Sequence, residues 1–196
     1  MPRASDLFIV AIASPDNRAV ARSVATLVTV SQLLNRPFML NVQSGTGITN
    51  ARTMGLEALR KQFPQDKEAY LFWLDSDITI DESPQAIADL IREAERLGVS
   101  FTASYHVVDN ASKQTWSVVG KKYPYHYTDE ELSRARPFEL KCEYSGLGLC
   151  YIKTPLDYRF RMEGHDLEDL FFFRDNPGID MRYAPIANRH MKAMYI

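Results

Sequence analysis

Short apolar runs alternate along the chain with stretches of helical period. Leu7 to Ala13 (Leu-Phe-Ile-Val-Ala-Ile-Ala) is continuously apolar and stops at Ser14-Pro15-Asp16-Asn17. It reads as a buried strand followed by a turn. Asp16 or Asn17 is a candidate cap for a helix on which Val20, Val24, Leu27, Val28, Ser31 and Leu34 recur at helical spacing. Pro37 closes that helix, and Phe38 to Val42 reads as a second strand. After the loop Ser44-Gly45-Thr46-Gly47, Thr46 or Thr49 is a candidate cap for a helix with Ala51, Gly55, Leu56 and Leu59 on its inner face, ended by Pro64. Ala69 to Leu74 (Ala-Tyr-Leu-Phe-Trp-Leu) is the third strand.

Ser83-Pro84 is a strong helix start, a capping serine with proline at the first helical position. Ile87, Leu90, Ile91, Ala94 and Leu97 form that helix's apolar face, and Gly98 its stop. Val99 to Val107 alternates as a fourth strand. Asp109 to Lys141 has no clean period, and a long irregular stretch in a compact domain is usually functional or mobile. Leu147 to Ile152 reads as a strand entered through Ser145-Gly146, Asp166 to Arg174 as a short helix, and Met181 to Pro185 as a last strand. The β-α-β-α-β order predicts a three-layer α/β/α sandwich of Rossmann type, with a mostly parallel central sheet and a late antiparallel strand.

The 196 residues suffice for one compact domain over 1–196, and 45% hydrophobic with 24% charged residues is ordinary for a globular chain. A net charge of -2 creates no strong field for nucleic acid or a membrane surface. Cys142 and Cys150 lack metal-ligand spacing; they read as reduced thiols, with a disulfide left open. No apolar run approaches the roughly 20 residues of a membrane span. Met-Pro-Arg-Ala-Ser-Asp leads straight into a strand, unlike a signal peptide, so the expected location is cytoplasmic.

The chemistry centres on Asp75-Ser76-Asp77, where the third strand ends. Two carboxylates at that position are costly to bury. A hard divalent cation, Mg2+ or Mn2+, reconciles them with it, sharing its remaining sites with water and phosphate. Ligands of open α/β sheets bind outside the carboxyl ends of the strands.

The order of these motifs resembles the GT-A fold of nucleotide-sugar-dependent glycosyltransferases, especially the family-2-like group, over nearly the whole chain. Gly-Ile-Thr-Asn-Ala-Arg-Thr-Met-Gly-Leu (Gly47 to Leu56), a helix, and Tyr-Leu-Phe-Trp-Leu-Asp-Ser-Asp are similar to that family's asparagine-x-arginine helix start and DxD strand. Leu-Glu-Asp-Leu-Phe-Phe-Phe-Arg-Asp (Leu167 to Asp175) is similar to its Glu-Asp motif, with Leu167 where glycine or threonine is usual. His190 stands where many relatives have a histidine that completes the metal site. The usual C-terminal extension, with any acceptor contacts it provides, is missing. Such minimal chains are similar to virus- or phage-encoded members of the fold.

The resemblance implies a metal-dependent, inverting transfer from a nucleoside-diphosphate sugar, with UDP the commoner donor nucleotide and GDP open. It implies Mn2+ or Mg2+ on Asp77 with Asp75 and His190, and Asp169 as general base, with Glu168 as fallback and Asp166 a weaker one. His165 competes with His190, and His106 and His126 read as bystanders. Glu168-Asp169 also fits a plain acidic helix start. Ser14, Pro15 and Asp16 follow the first strand, where relatives hold the nucleotide, and Gln43 is placed to read the base edge. Asn50 and Arg52, at a helix start, are placed for base, ribose or phosphate. Asp75 and Ser76 adjoin the ribose and diphosphate, and Gly146 admits the donor sugar close to backbone. Trp116 is a stacking candidate for an acceptor sugar, with core packing as the alternative, and Phe171 to Phe173 are most simply core. The acceptor hydroxyl belongs to a glycan, lipid-linked sugar, protein, small molecule or modified nucleobase.

Two other readings share the local signature. Asp75-Ser76-Asp77-Ile78-Thr79 fits the haloacid-dehalogenase phosphatase pattern, with Asp75 as covalent nucleophile. That family opens on this strand, whereas here about seventy residues of β-α-β-α precede it. A catalytically inactive nucleotide- or sugar-binding module would keep the DxD pocket without turnover.

Overall fold

A computed structural model describes residues 3–14, 20–44, 47–108, 115–122, 125–162 and 168–190. Asp16, Asn17, Thr46, His165 and Asp166 lie outside these. The chain order is β1 (Phe8–Ala13), α1 (Ala21–Leu33), β2 (Phe38–Gln43), α2 (Ile48–Gln62), β3 (Glu68–Leu74), β4 (Ile78–Ile80), α3 (Pro84–Leu97) and β5 (Ser100–Thr102). Then follow β6 (His106–Val108), β7 (Thr115–Ser117), β8 (Val119–Lys122), β9 (Tyr125–His126), α4 (Asp129–Arg134), β10 (Lys141–Cys142) and β11 (Tyr144–Ser145). The chain continues with β12 (Leu149–Pro155), α5 (Glu168–Asp175), β13 (Met181–Tyr183) and β14 (Asn188–His190).

Seven strands form the central sheet in the order β10-β13-β5-β12-β3-β1-β2. β1 is parallel to β2 and to β3, and β13 is parallel to β5. β12 runs antiparallel between β3 and β5, which is the expected late antiparallel strand, placed at the centre of the sheet. β10 is a second antiparallel strand, at the edge. α2 packs on β1 and β2 from one face, while α1 packs with α3 and β4 on the other. The architecture is therefore the predicted α/β/α sandwich.

The core follows from the apolar runs. Every residue of β1 is buried, as are Leu71 to Leu74 on β3. Phe8 packs edge-on against Phe72, and Tyr151 of β12 lies against Phe101 of β5. Each such side chain contributes about 1.5–3 kcal/mol through burial. α3 has its predicted ends: Ser83 Oγ accepts from Ala86 N at 3.2 Å, and Gly98 closes the helix at φ 69°. Cys142 and Cys150 are buried free thiols, with no disulfide between them.

Several local expectations are corrected. The residue at the head of α2 is Gly47, at φ 115°, where a side chain would be strained; Thr49 sits in the first turn. The run Val99–Val107 breaks after Thr102, because Tyr105 turns inward under the loop that enters β12. Residues 109–141 contain β7, β8, β9 and α4, and α4 begins with a capping box between Thr128 and Glu131. On α1 the deepest face includes Ser23, a polar residue that an apolar pattern passes over. Its hydroxyl donates to Ile78 O at 2.8 Å and accepts from Ile80 N at 2.9 Å. That clamp fixes β4 immediately after the Asp75–Asp77 turn. β4 in turn pairs antiparallel with β14, in register His190 to Ile78.

Candidate functional site

The site is built at the carboxyl end of β3. There Asp75 N donates to Gly148 O at 2.7 Å, and Ile78 N donates to Asp75 O at 3.2 Å, so the Asp75-Ser76-Asp77 turn is held at both ends. β14 arrives through its pairing with β4 and brings His190 Nε2 to 3.2 Å from Asp77 Oδ2. A contact between residues 113 positions apart in sequence is thereby made by a three-residue strand pair.

Asp75 goes elsewhere. Its Oδ1 accepts from Arg52 Nη2 at 3.1 Å. Arg52 Nη1 donates to Glu168 Oε1 at 2.6 Å and to Asp169 Oδ1 at 2.5 Å. The Arg52 side chain is 1% exposed and lies beside the edge-on Trp73–Phe160 ring pair, about 6 Å from each centroid. Its Nε has no partner among the described residues. Asp169 is held from its other side, where Oδ2 accepts from Leu147 N at 3.2 Å. Arg52 thus joins the DxD turn to the acidic start of α5. Glu168 and Asp169 do more than start a helix, since both reach across to Arg52.

One guanidinium facing three carboxylates leaves negative charge in excess. Burial pushes the Asp75 carboxyl up, opposed by Arg52 and reinforced by Asp77. Burial likewise raises Glu168, with Asp169 adding to it, and raises Asp169, with Arg52 opposing and Asp75 adding. Asp75 and Asp169 still keep 20% and 19% of their side chains open to solvent. A proton or a bound cation relieves this excess.

These raised values set a pH dependence. A carboxyl raised in the folded state binds its proton more tightly than in the unfolded chain. The stability it contributes is complete below the unfolded carboxyl range and is lost as pH rises through the raised value. Glu168→Gln removes that loss, so its melting temperature relative to wild type should climb as pH rises from acid toward neutral. A difference that stays flat or falls, measured by scanning calorimetry across that range, contradicts the charge excess.

The loop into β12 is shaped by glycine. A Cβ at Gly148 would overlap Asp75 Oδ2 and the Tyr105 hydroxyl, and one at Gly146 would overlap the same hydroxyl. Gly148 N donates to Tyr105 Oη at 3.1 Å, and the Tyr105 ring lies 5.3 Å from the His190 ring. Gly148→Ala should cost about 1–3 kcal/mol, because Asp75 or Tyr105 must move. A urea melt within about 0.5 kcal/mol of wild type would show that the loop yields freely.

No family model and no curated protein matches the sequence. Among solved structures, the fold is similar to the crystal structure of 4-diphosphocytidyl-2C-methyl-D-erythritol synthase, with a TM-score of 0.49 at 8% identity, covering 93% of this chain and 90% of that chain. A likeness this loose carries no inference about chemistry.

Asp75, Asp77, Arg52, Glu168, Asp169 and His190 come together at the end of β3. Asp75, Asp77 and His190 do not close into a ready set: among the described residues no three His, Cys, Asp or Glu side chains gather to hold a metal. Asp75 is drawn to Arg52 instead. Arg52 is also not an open anion ligand at a helix start, because both terminal nitrogens are taken by carboxylates. Gly146 is accounted for by Tyr105. Ser14 is buried after β1, its N–H donating to Gln43 O at 3.0 Å. Gln43 Nε2 donates to Asn41 Oδ1, which turns its amide along its own strand, and Asn50 points outward from α2. Ser76 sits half-buried in the turn.

Tyr105, Leu147 and Gly148 were not singled out from sequence. Gly146 and Gly148, two residues apart before a strand, were a readable sign of close backbone approach. Tyr105 carries no local signal.

Proposed function

We propose that the chain is a metal-dependent glycosyltransferase of single-domain GT-A type, moving a sugar from a nucleoside-diphosphate donor to an acceptor hydroxyl with inversion. One observation carries this reading. Three segments distant in sequence, Asp75–Asp77, Glu168–Asp169 and His190, meet at the carboxyl end of one central strand. An acid pair at the strand end, a buried acid beside it and an imidazole on the second acid are the groups such a transfer needs.

Asp77 and His190 suit a hard or borderline divalent cation. They supply a carboxylate and an imidazole in contact, are partly open to solvent, and leave further positions for water and diphosphate oxygens. A Mn2+ or Mg2+ ion held by them would supply Lewis-acid stabilisation to the departing nucleoside diphosphate. Asp75 flanks that position and adds negative charge to it. Asp169 takes the proton of the acceptor hydroxyl. Burial raises its basicity, and Arg52 and Leu147 N–H hold its orientation. A single positioned base fits direct displacement and hence inversion. The nucleotide would lie over the ends of β1 and β2, near Ser14 and Gln43, with UDP favoured over GDP.

The phosphatase alternative needs an Asp75 free to attack phosphorus. Asp75 is tied to Arg52 and closely flanked by Gly148. The test is release of nucleoside diphosphate from a panel of UDP- and GDP-sugars, with Mn2+ and with chelator, against sugar, lipid-linked, peptide and nucleobase acceptors. Metal-dependent release with one donor supports the transferase. Silence across the panel, with turnover of a generic phosphoester instead, overturns it.

A further inference from the structure

β2 is a free edge of the seven-stranded sheet. It pairs with β1 over six consecutive residues without a bulge. Phe8 N donates to Pro37 O, and Ser14 N donates to Gln43 O. In a parallel ladder that parity turns the N–H and C=O of Met39, Asn41 and Gln43 toward β1, and those of Phe38, Leu40 and Val42 outward. Among the described residues nothing receives the outward groups.

The two edges of the sheet are treated differently. β10, at one end, has two residues, Lys141 and Cys142, and is followed by Glu143. It is short and charged, the usual protection against edge pairing. β2 reads Phe-Met-Leu-Asn-Val-Gln, with no charge and no proline. Leu40 on β2 is itself a large apolar side chain at 41% exposure, and the two helices that pack against β2 carry further exposed apolar residues, Leu33 on α1 and Ile48 and Met54 on α2.

We infer that β2 is a dimerisation edge, at which a second copy of this chain adds its own β2 in antiparallel pairing about a two-fold axis at Leu40. In that register Leu40 faces Leu40 of the second copy, and Phe38 faces its Val42. A second copy fits because an uncharged strand meets itself without like-charge repulsion, and a two-fold contact is self-complementary and closes. The strand alone is small against the ~800 Å² per partner of a stable interface. A stable dimer therefore also needs contact from α1 and α2, the helices that pack against β2.

The test uses the full chain in sedimentation equilibrium. Wild type should sediment at twice the chain mass. Leu40→Lys should halve the apparent mass and leave a chain that still unfolds cooperatively, at a melting temperature that no longer rises with protein concentration as that of a dimer does. Leu40→Cys should cross-link on oxidation, since directly opposed hydrogen-bonded residues lie about 5.5 Å apart between Cα atoms, within disulfide reach. Both native thiols are buried and do not compete. A wild type that stays monomeric, or a dimer that survives Leu40→Lys, overturns the inference.

Discussion

Arg52→Met is expected to destabilise the protein by about 3–5 kcal/mol at neutral pH, the range for removing one partner of a buried ion cluster. The methionine fills similar space but leaves Asp75, Glu168 and Asp169 facing one another without a cation. That is a large share of the ~5–15 kcal/mol that holds a typical domain together. The deficit should shrink as pH falls, because protonation neutralises the carboxyls that burial already pushes up. Urea melts of wild type and variant at neutral and mildly acid pH check both parts. A neutral-pH loss under about 1 kcal/mol would mean that the carboxylates find water or separate without Arg52.

Asp169→Asn is expected to leave a folded protein whose turnover falls by roughly 10²–10⁴-fold, the usual contribution of a positioned general base. The amide keeps the size of the side chain and its carbonyl can still accept from Leu147 N–H, so the loop into β12 stays in place, while the hydrogen bond from Arg52 is lost. What it lacks is the capacity to take a proton. Nucleoside diphosphate release, measured under single turnover with the donor found active in the panel, should therefore drop while nucleotide affinity is retained. Glu168→Gln, on the neighbouring and more deeply buried acid, should cost much less. A reversed ranking would move the base to Glu168, and equal, small effects would remove both from the chemistry.

The frame was legible in the sequence because it rests on short-range patterns. Leu7–Ala13 and Ala69–Leu74 are continuously apolar and, apart from the half-buried Leu7 and Tyr70, buried, so they read as central strands. Ser83-Pro84 and Gly98 mark α3 by capping chemistry that acts within one turn. The acids that meet at the end of β3 were legible because carboxylates at a strand end and at a helix start are conspicuous. The geometry joining them was not. Arg52 looks the same in sequence whether it faces a phosphate or three carboxylates; the packing of α2 against Trp73 and Phe160 decides that. Ser23 reads as a surface serine, yet it sets β4 through two backbone groups that come from 55 residues away or more. Tyr105 interrupts an otherwise regular strand pattern because two glycines far along the chain leave room for its hydroxyl. α4 has a local signal that its weak apolar pattern hides: Thr128-Asp129-Glu130-Glu131 is a capping box.

The proposed transfer depends most on Asp77 and His190 acting together with a divalent cation. Calorimetric titration of UDP and GDP into wild type and Asp77→Asn, each with Mn2+ and with chelator, tests that directly. The expected result is binding of one nucleotide by wild type only in the presence of Mn2+, and loss of that binding in Asp77→Asn with the melting temperature preserved. Binding that is indifferent to chelator and to the substitution, or no binding of either nucleotide, would contradict it.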